Sequence, residues 1–157
     1  MNRVFQMVVV GTLLAVGSGS VAFAADAAVG TWILNLDKSK FTPGPAPKSQ
    51  TRTYAQTPDG VALTVTGVAA DGSAISQQST FKYDGKDYPI TGSADYDTLS
   101  LKRVNGSTVK SVQKKGGKFA GTTVRSVSGH GKILTLTSKG KSASGARFNN
   151  VAVYDKQ

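Results

Sequence analysis

Between residues 58 and 131 turn signals recur at short, nearly even intervals, and this cadence constrains the fold more than any other feature of the chain. The signals are Pro58-Asp59-Gly60, Asp71-Gly72, Asp84-Gly85, Asn105-Gly106, Gly116-Gly117 and Gly129-His130-Gly131. Asp-Gly and Asn-Gly mark hairpins because the favoured two-residue turns need positive φ at both central residues. Between the turns, apolar and polar residues alternate. Val61, Leu63 and Val65 share a face opposite Ala62, Thr64 and Thr66. Phe81 and Tyr83 oppose Thr80 and Lys82, Leu99 and Leu101 oppose Ser100 and Lys102, and Leu134 and Leu136 oppose Ile133, Thr135 and Thr137. A period of two rich in Val and Thr is a strand pattern, and no window after residue 24 keeps a 3.6-residue period for three turns.

The pattern predicts strands at 30–36, 51–57, 61–69, 74–84, 87–91, 98–104, 108–115, 118–128, 132–140 and 147–155. Consecutive hairpins form an antiparallel meander. A meander of about eight to ten strands leaves two exposed edges unless it closes. The expectation is therefore an all-β protein, a single closed up-and-down barrel with no substantial helix after the leader. An open sheet or sandwich is the alternative. The acids agree with this: all nine are Asp and none is Glu. Glu suits helices, whereas Asp favours turns and caps. Residues 37–50 break the cadence with Pro43-Gly44-Pro45-Ala46-Pro47, which suits neither a helix nor a central strand. This stretch reads as a stiff connector, or as a lid with Phe41 folded inward.

Residues 1–24 read as a cleavable signal peptide. Arg3 supplies the positive start, Val4–Leu14 the apolar core, and Ala22-Phe23-Ala24 a small-x-small cleavage site. The apolar stretch is shorter than the roughly 20 residues of a membrane span, so the mature form, residues 25–157, is expected to carry no transmembrane segment. The chain has no cysteine. An exported domain without disulfides is held by its core alone. The expected location is the periplasm or the extracellular medium.

Gly30-Thr31-Trp32 opens the first strand, and Val151-Ala152-Val153-Tyr154-Asp155-Lys156 closes the chain's last strand-like run. With the even hairpins, these two ends resemble the calycin superfamily of lipocalins and intracellular fatty-acid-binding proteins. In lipocalins a Gly-x-Trp on the first strand closes the barrel floor beneath a basic residue from the last strand. The resemblance implies that Gly30 and Trp32 form that floor, with Arg147 stacked over the indole through a cation–π contact. Fatty-acid-binding proteins clasp a carboxylate with an Arg and a Tyr two positions apart on the last strand. Here Tyr154 stands at the Tyr position, but Ala152 occupies the Arg position. The proline-rich loop also leaves no room for the two helices that those proteins place between their first strands. The chain is closest to a reduced, exported bacterial form of the superfamily.

Catalytic chemistry finds little support. His130, the only histidine, sits between glycines in a turn, and one His with no Cys and scattered Asp residues cannot build a metal centre. Asp95 and Asp97 lie in a loop, and Asp84 and Asp87 flank a turn, where Asp is expected for backbone reasons. No nucleophile elbow is present. The expectation is a monomeric, non-enzymatic protein without a cofactor or metal.

Binding has two candidate surfaces. Tyr54, Phe81, Tyr83, Phe119, Phe148 and Tyr154 fall on separate strands and would line a lumen able to hold a small lipophilic or amphipathic molecule, or else fill it. The second surface follows from charge. Residues 25–97 carry six Lys/Arg against eight Asp, and residues 98–157 carry twelve against one. In a meander, halves of the sequence become halves of the wall. Lys102, Arg103, Lys110, Lys114, Lys115, Lys118, Arg125, Lys132, Lys139 and Lys141 would then face anionic envelope components: lipopolysaccharide, anionic lipid or acidic polysaccharide. Export makes nucleic acid an unexpected partner. Lysines on strand faces also discourage edge-to-edge aggregation, a role that needs no partner. A small protease-inhibitor barrel is a third, weaker reading.

Overall fold

The computed structural model describes residues 25–157, so the signal-peptide reading lies outside the described residues. Ten strands follow one another: β1 (Gly30–Lys40), β2 (Ser49–Thr57), β3 (Gly60–Val68), β4 (Ala74–Phe81), β5 (Asp84–Thr91), β6 (Thr98–Arg103), β7 (Thr108–Lys115), β8 (Lys118–Ser128), β9 (Ile133–Lys141) and β10 (Arg147–Lys156). Each pairs antiparallel with its neighbour in sequence. β10 returns to pair with β1, with Trp32 opposite Lys156 and Leu34 opposite Tyr154, so the barrel is closed. Closure removes the edges that an open meander would expose. No helix occurs among the described residues.

The turn glycines explain the connections. Gly72, Gly85, Gly116, Gly117, Gly129 and Gly131 adopt positive φ, as does His130 at 56°. This backbone is nearly free for Gly and uncommon for other residues. Alternation then sorts the core. Val61, Leu63, Val65, Leu99, Leu101, Leu134 and Leu136 all point inward and are buried.

Two departures from the expected strands have local causes. β1 runs on to Lys40 instead of ending at Leu36, because a bulge opposite β10 absorbs the extra residues. Asn35 pairs with Val153 and Lys40 with Val151. Ser39 holds the bulge, donating to the Asn35 carbonyl at 2.6 Å and accepting from the Val153 amide at 2.9 Å. The proline-rich connector is thus residues 41–48. Asp84-Gly85 does not make a tight hairpin either. β4 and β5 pair only through Gln78–Thr91 and Ser79–Ile90, and splay apart towards Phe81. Asp84 instead accepts from the Lys86 amide at 3.0 Å and from the Tyr88 hydroxyl at 2.8 Å.

The strands define two ends. At the closed end, the segment before β1 folds under the barrel. The Trp32 indole is fully buried and donates to the Ala28 carbonyl at 2.7 Å. The Lys156 ammonium lies 5.2 Å from the indole centroid. Arg147 therefore does not cover Trp32. It pairs with Lys141 at the opposite end of β10 and points outward.

Candidate ligand-binding lumen

The inward rows of the strands change character along the barrel axis. The half nearest the closed end is packed with Trp32, Leu34, Val61, Phe81, Val109, Leu134 and Tyr154. The half nearest the open end is polar. There β7, β8 and β9 contribute Gln113, Ser111, Thr123 and Ser138. Gln113 Nε2 donates to Ser111 Oγ at 3.1 Å and to Thr123 Oγ1 at 2.9 Å, and the Thr123 and Ser138 hydroxyls meet at 2.7 Å.

Between the halves lies an inner cavity of about 100 Å³, walled by Leu63, Phe81, Leu99, Leu101, Leu136 and the polar ladder. It leads to a wider mouth of about 340 Å³, lined by Gln50, Arg52, Gln77, Asp95, Tyr96 and Phe148 among others. Cavities of several hundred cubic ångströms are the usual size of small-molecule sites.

Two arginines on the inner cavity wall sit in different electrostatic surroundings. Arg125, from β8, is buried and paired with Asp26, its Nη2 lying 3.0 and 2.8 Å from the two carboxylate oxygens. Tyr83 donates to the same carboxylate, the Ala28 amide caps it at 3.0 Å, and the Arg125 guanidinium lies over the Tyr54 ring. Arg125 Nε and Nη1 are buried without a hydrogen-bond partner among the described residues. Arg52, from β2, has no carboxylate within ion-pair distance among the described residues. Its Nε donates to the Tyr54 hydroxyl at 3.2 Å and its Nη1 to Gln50 Oε1 at 3.4 Å, while Tyr154 donates to that same Gln50 oxygen.

Burial opposes the Arg52 charge, but Tyr54, Tyr154 and Tyr96 around it raise its pKa above the ordinary arginine value. Burial raises the pKa values of Tyr96 and Tyr154. For Tyr54 burial is outweighed by Arg52 and Arg125, which lower its pKa below the usual 10.0. An ultraviolet titration is expected to show one phenol ionising below the ordinary range and the others later, with Arg52→Met moving that first step upward. A first step at or above the ordinary range would contradict the Arg52–Tyr54 contact.

Of the six aromatics expected in the lumen, Tyr54, Phe81 and Tyr154 point inward and are buried. Tyr83 packs edge-to-face on Phe81 at 5.8 Å, beneath the closed end. Phe148 stands at the rim. Phe119 lies outside, 68% exposed. Plain alternation extends the inward row Gly121, Thr123, Arg125 back to Phe119. A bulge between Gln113–Gly121 and Lys114–Phe119 leaves Ala120 unpaired and turns Phe119 outward.

The cations expected on one outer side are also redistributed. Arg125 lies inside the barrel because β8 turns that position inward. Lys102, Arg103, Lys110 and Lys132 lie towards the closed end, and Lys114, Lys115, Lys118, Lys139 and Lys141 towards the open end. Hairpins alternate direction, so a run of basic residues in sequence is dealt to both ends. The residues that sequence reasoning missed, Arg52, Ser111, Gln113, Thr123 and Ser138, carried a usable signal. Arg52 shares the parity of Tyr54, and Ser111 and Gln113 that of Val109.

No protein-family profile matches the chain, and no curated protein does. Among solved structures, the chain is similar to zebrafish ileal bile acid-binding protein complexed with cholic acid, at 13% identity and a TM-score of 0.48. The match covers 83% of this chain and 99% of that one. It is a likeness of architecture only. Among the described residues, no helix is long and apolar enough to cross a membrane.

Proposed function

We propose that this is an exported, non-enzymatic binding protein that takes a small amphipathic molecule through the open end of its barrel, anionic head inward. One observation carries the reading: the Arg52 guanidinium, partly buried on the lumen wall and facing phenols and amides, has no carboxylate beside it among the described residues. A cation withdrawn from water without a counter-charge is costly, and a bound anion relieves that cost. The inner cavity, bordered by Arg52, suits a head group, and the wider mouth leaves space for the remainder of the molecule along Tyr96 and Phe148. Arg52 and the Tyr96 hydroxyl face the head, while Leu63, Leu99 and Leu136 supply apolar walls.

A calorimetric titration with octanoate and with octanol tests this. Octanoate is expected to bind saturably. Arg52→Met is expected to weaken it about tenfold or more, the usual value of a hydrogen bond to a charged group. Equal binding of octanol would remove the anionic head from the reading. Failure of both, and of 1-anilinonaphthalene-8-sulfonate, would mean that the lumen is not a binding site. The segment 1–24 is assigned to export, and N-terminal sequencing of the secreted protein should begin at Ala25.

A further inference from the structure

The outer wall carries a second cleft beside the mouth of the lumen. Where β8 meets β9, Gly121 lies opposite Gly140. A Cβ on Gly121 would stand 2.7 Å from the Lys139 carbonyl oxygen, so the two backbones touch there and the wall is thin. Outside it, at the open end, is a cleft of about 430 Å³ whose apolar sides are Phe119 and Phe148 and whose cations are Lys139, Lys141 and Arg147. Lys118 adjoins Phe119 in the chain.

Single exposed aromatics are ordinary on protein surfaces. This one differs in its company. Phe119 is 68% exposed. No carboxylate lines the cleft, and none of the four cations is ion-paired among the described residues, whereas nearby Lys114 is tied to Asp87 at 2.7 Å.

From this we infer that the Phe119–Phe148 cleft docks on a lipid bilayer bearing anionic headgroups. Aromatic rings partition into the boundary between headgroup and acyl chain, and lysines beside them add attraction to an anionic leaflet. An acidic polysaccharide would satisfy the cations and leave both phenylalanines without a counterpart. A bilayer satisfies both. Phe148 and Lys141 also line the mouth of the lumen, so docking here sets the open end against the headgroups.

Vesicle flotation decides the matter, comparing mixed phosphatidylcholine–phosphatidylglycerol vesicles with pure phosphatidylcholine. The protein is expected to float with the mixed vesicles and stay behind with the neutral ones. Lys139→Gln and Arg147→Gln should each weaken partitioning about fivefold. Phe119→Ser, an exposed and structurally tolerant change, should weaken it severalfold at unchanged charge. Two controls locate the surface. Lys102→Gln with Arg103→Gln, at the other end of the barrel, should matter much less, and heparin retention should be indifferent to Phe119→Ser. The inference is overturned if Phe119→Ser floats like the parent protein, if the closed-end pair matters equally, or if heparin binds tightly while vesicles do not.

Discussion

Trp32→Ala should lower the folding stability by about 3–5 kcal/mol, the range for deleting a large buried aromatic. Three losses coincide at this position. The cavity opens at the closed end, where the indole is fully buried. The Ala28 carbonyl loses the indole donor at 2.7 Å, and the Lys156 ammonium loses its ring face. Trp32→Phe separates these terms. It keeps most of the apolar volume but orphans the carbonyl, for an expected cost of about 1–3 kcal/mol. Urea unfolding followed by circular dichroism measures both, since the substitutions remove the only tryptophan fluorophore. A Trp32→Ala cost below about 1 kcal/mol would mean that the floor is not built around the indole.

Asp26→Ala is the second large effect, at about 3–5 kcal/mol, because it strands the buried Arg125 charge. Arg125 already has two orphaned donors, Nε and Nη1, and without Asp26 it would keep only the neutral Tyr83 hydroxyl, 2.8 Å from Nη2. Removing both members differs in kind from removing one. A well-packed apolar replacement of a buried pair is often neutral, so Asp26→Ala with Arg125→Leu should recover much of the loss. Additive costs in this cycle would show that the two side chains do not act as a pair. Asp26→Ala should also loosen the segment before β1, which hydrogen exchange at the Ala28 and Val29 amides would report.

The period-two alternation and the Gly-containing turns made most of the barrel legible, because backbone geometry fixes both and neither needs distant partners. β7 and β8 fall at their expected bounds, and most other strand ends lie within a few residues. The failures share a cause. At Phe119 one bulge inverts the parity, and a bulge depends on how a neighbouring strand registers. At β1 the strand outlasts its apolar pattern because Ser39 and Asn35 bind back to the main chain. The position of Arg125 rests on Asp26, ninety-nine residues away, and no local pattern announces such a pair. The lipocalin resemblance implies Arg147 over Trp32, but the register sets them at opposite ends. Arg52 was readable in principle, since it lies two residues from Tyr54 on the same face. A basic residue ordinarily faces solvent, and this masks the cation on which the proposed function rests.

The seam between β1 and β10 bears on when the barrel can exist. Every other strand finds its partner in the next hairpin, at short loop-closure cost. β1 alone must wait for β10, where Trp32 meets Lys156 and the Gln157 amide reaches the Thr31 carbonyl at 3.0 Å. Its contacts have the greatest sequence separation in the molecule, and contacts of that kind slow folding. On the proposed export route, a chain crossing N-terminus first would stay an unsealed ribbon until β10 had followed β1 across the membrane.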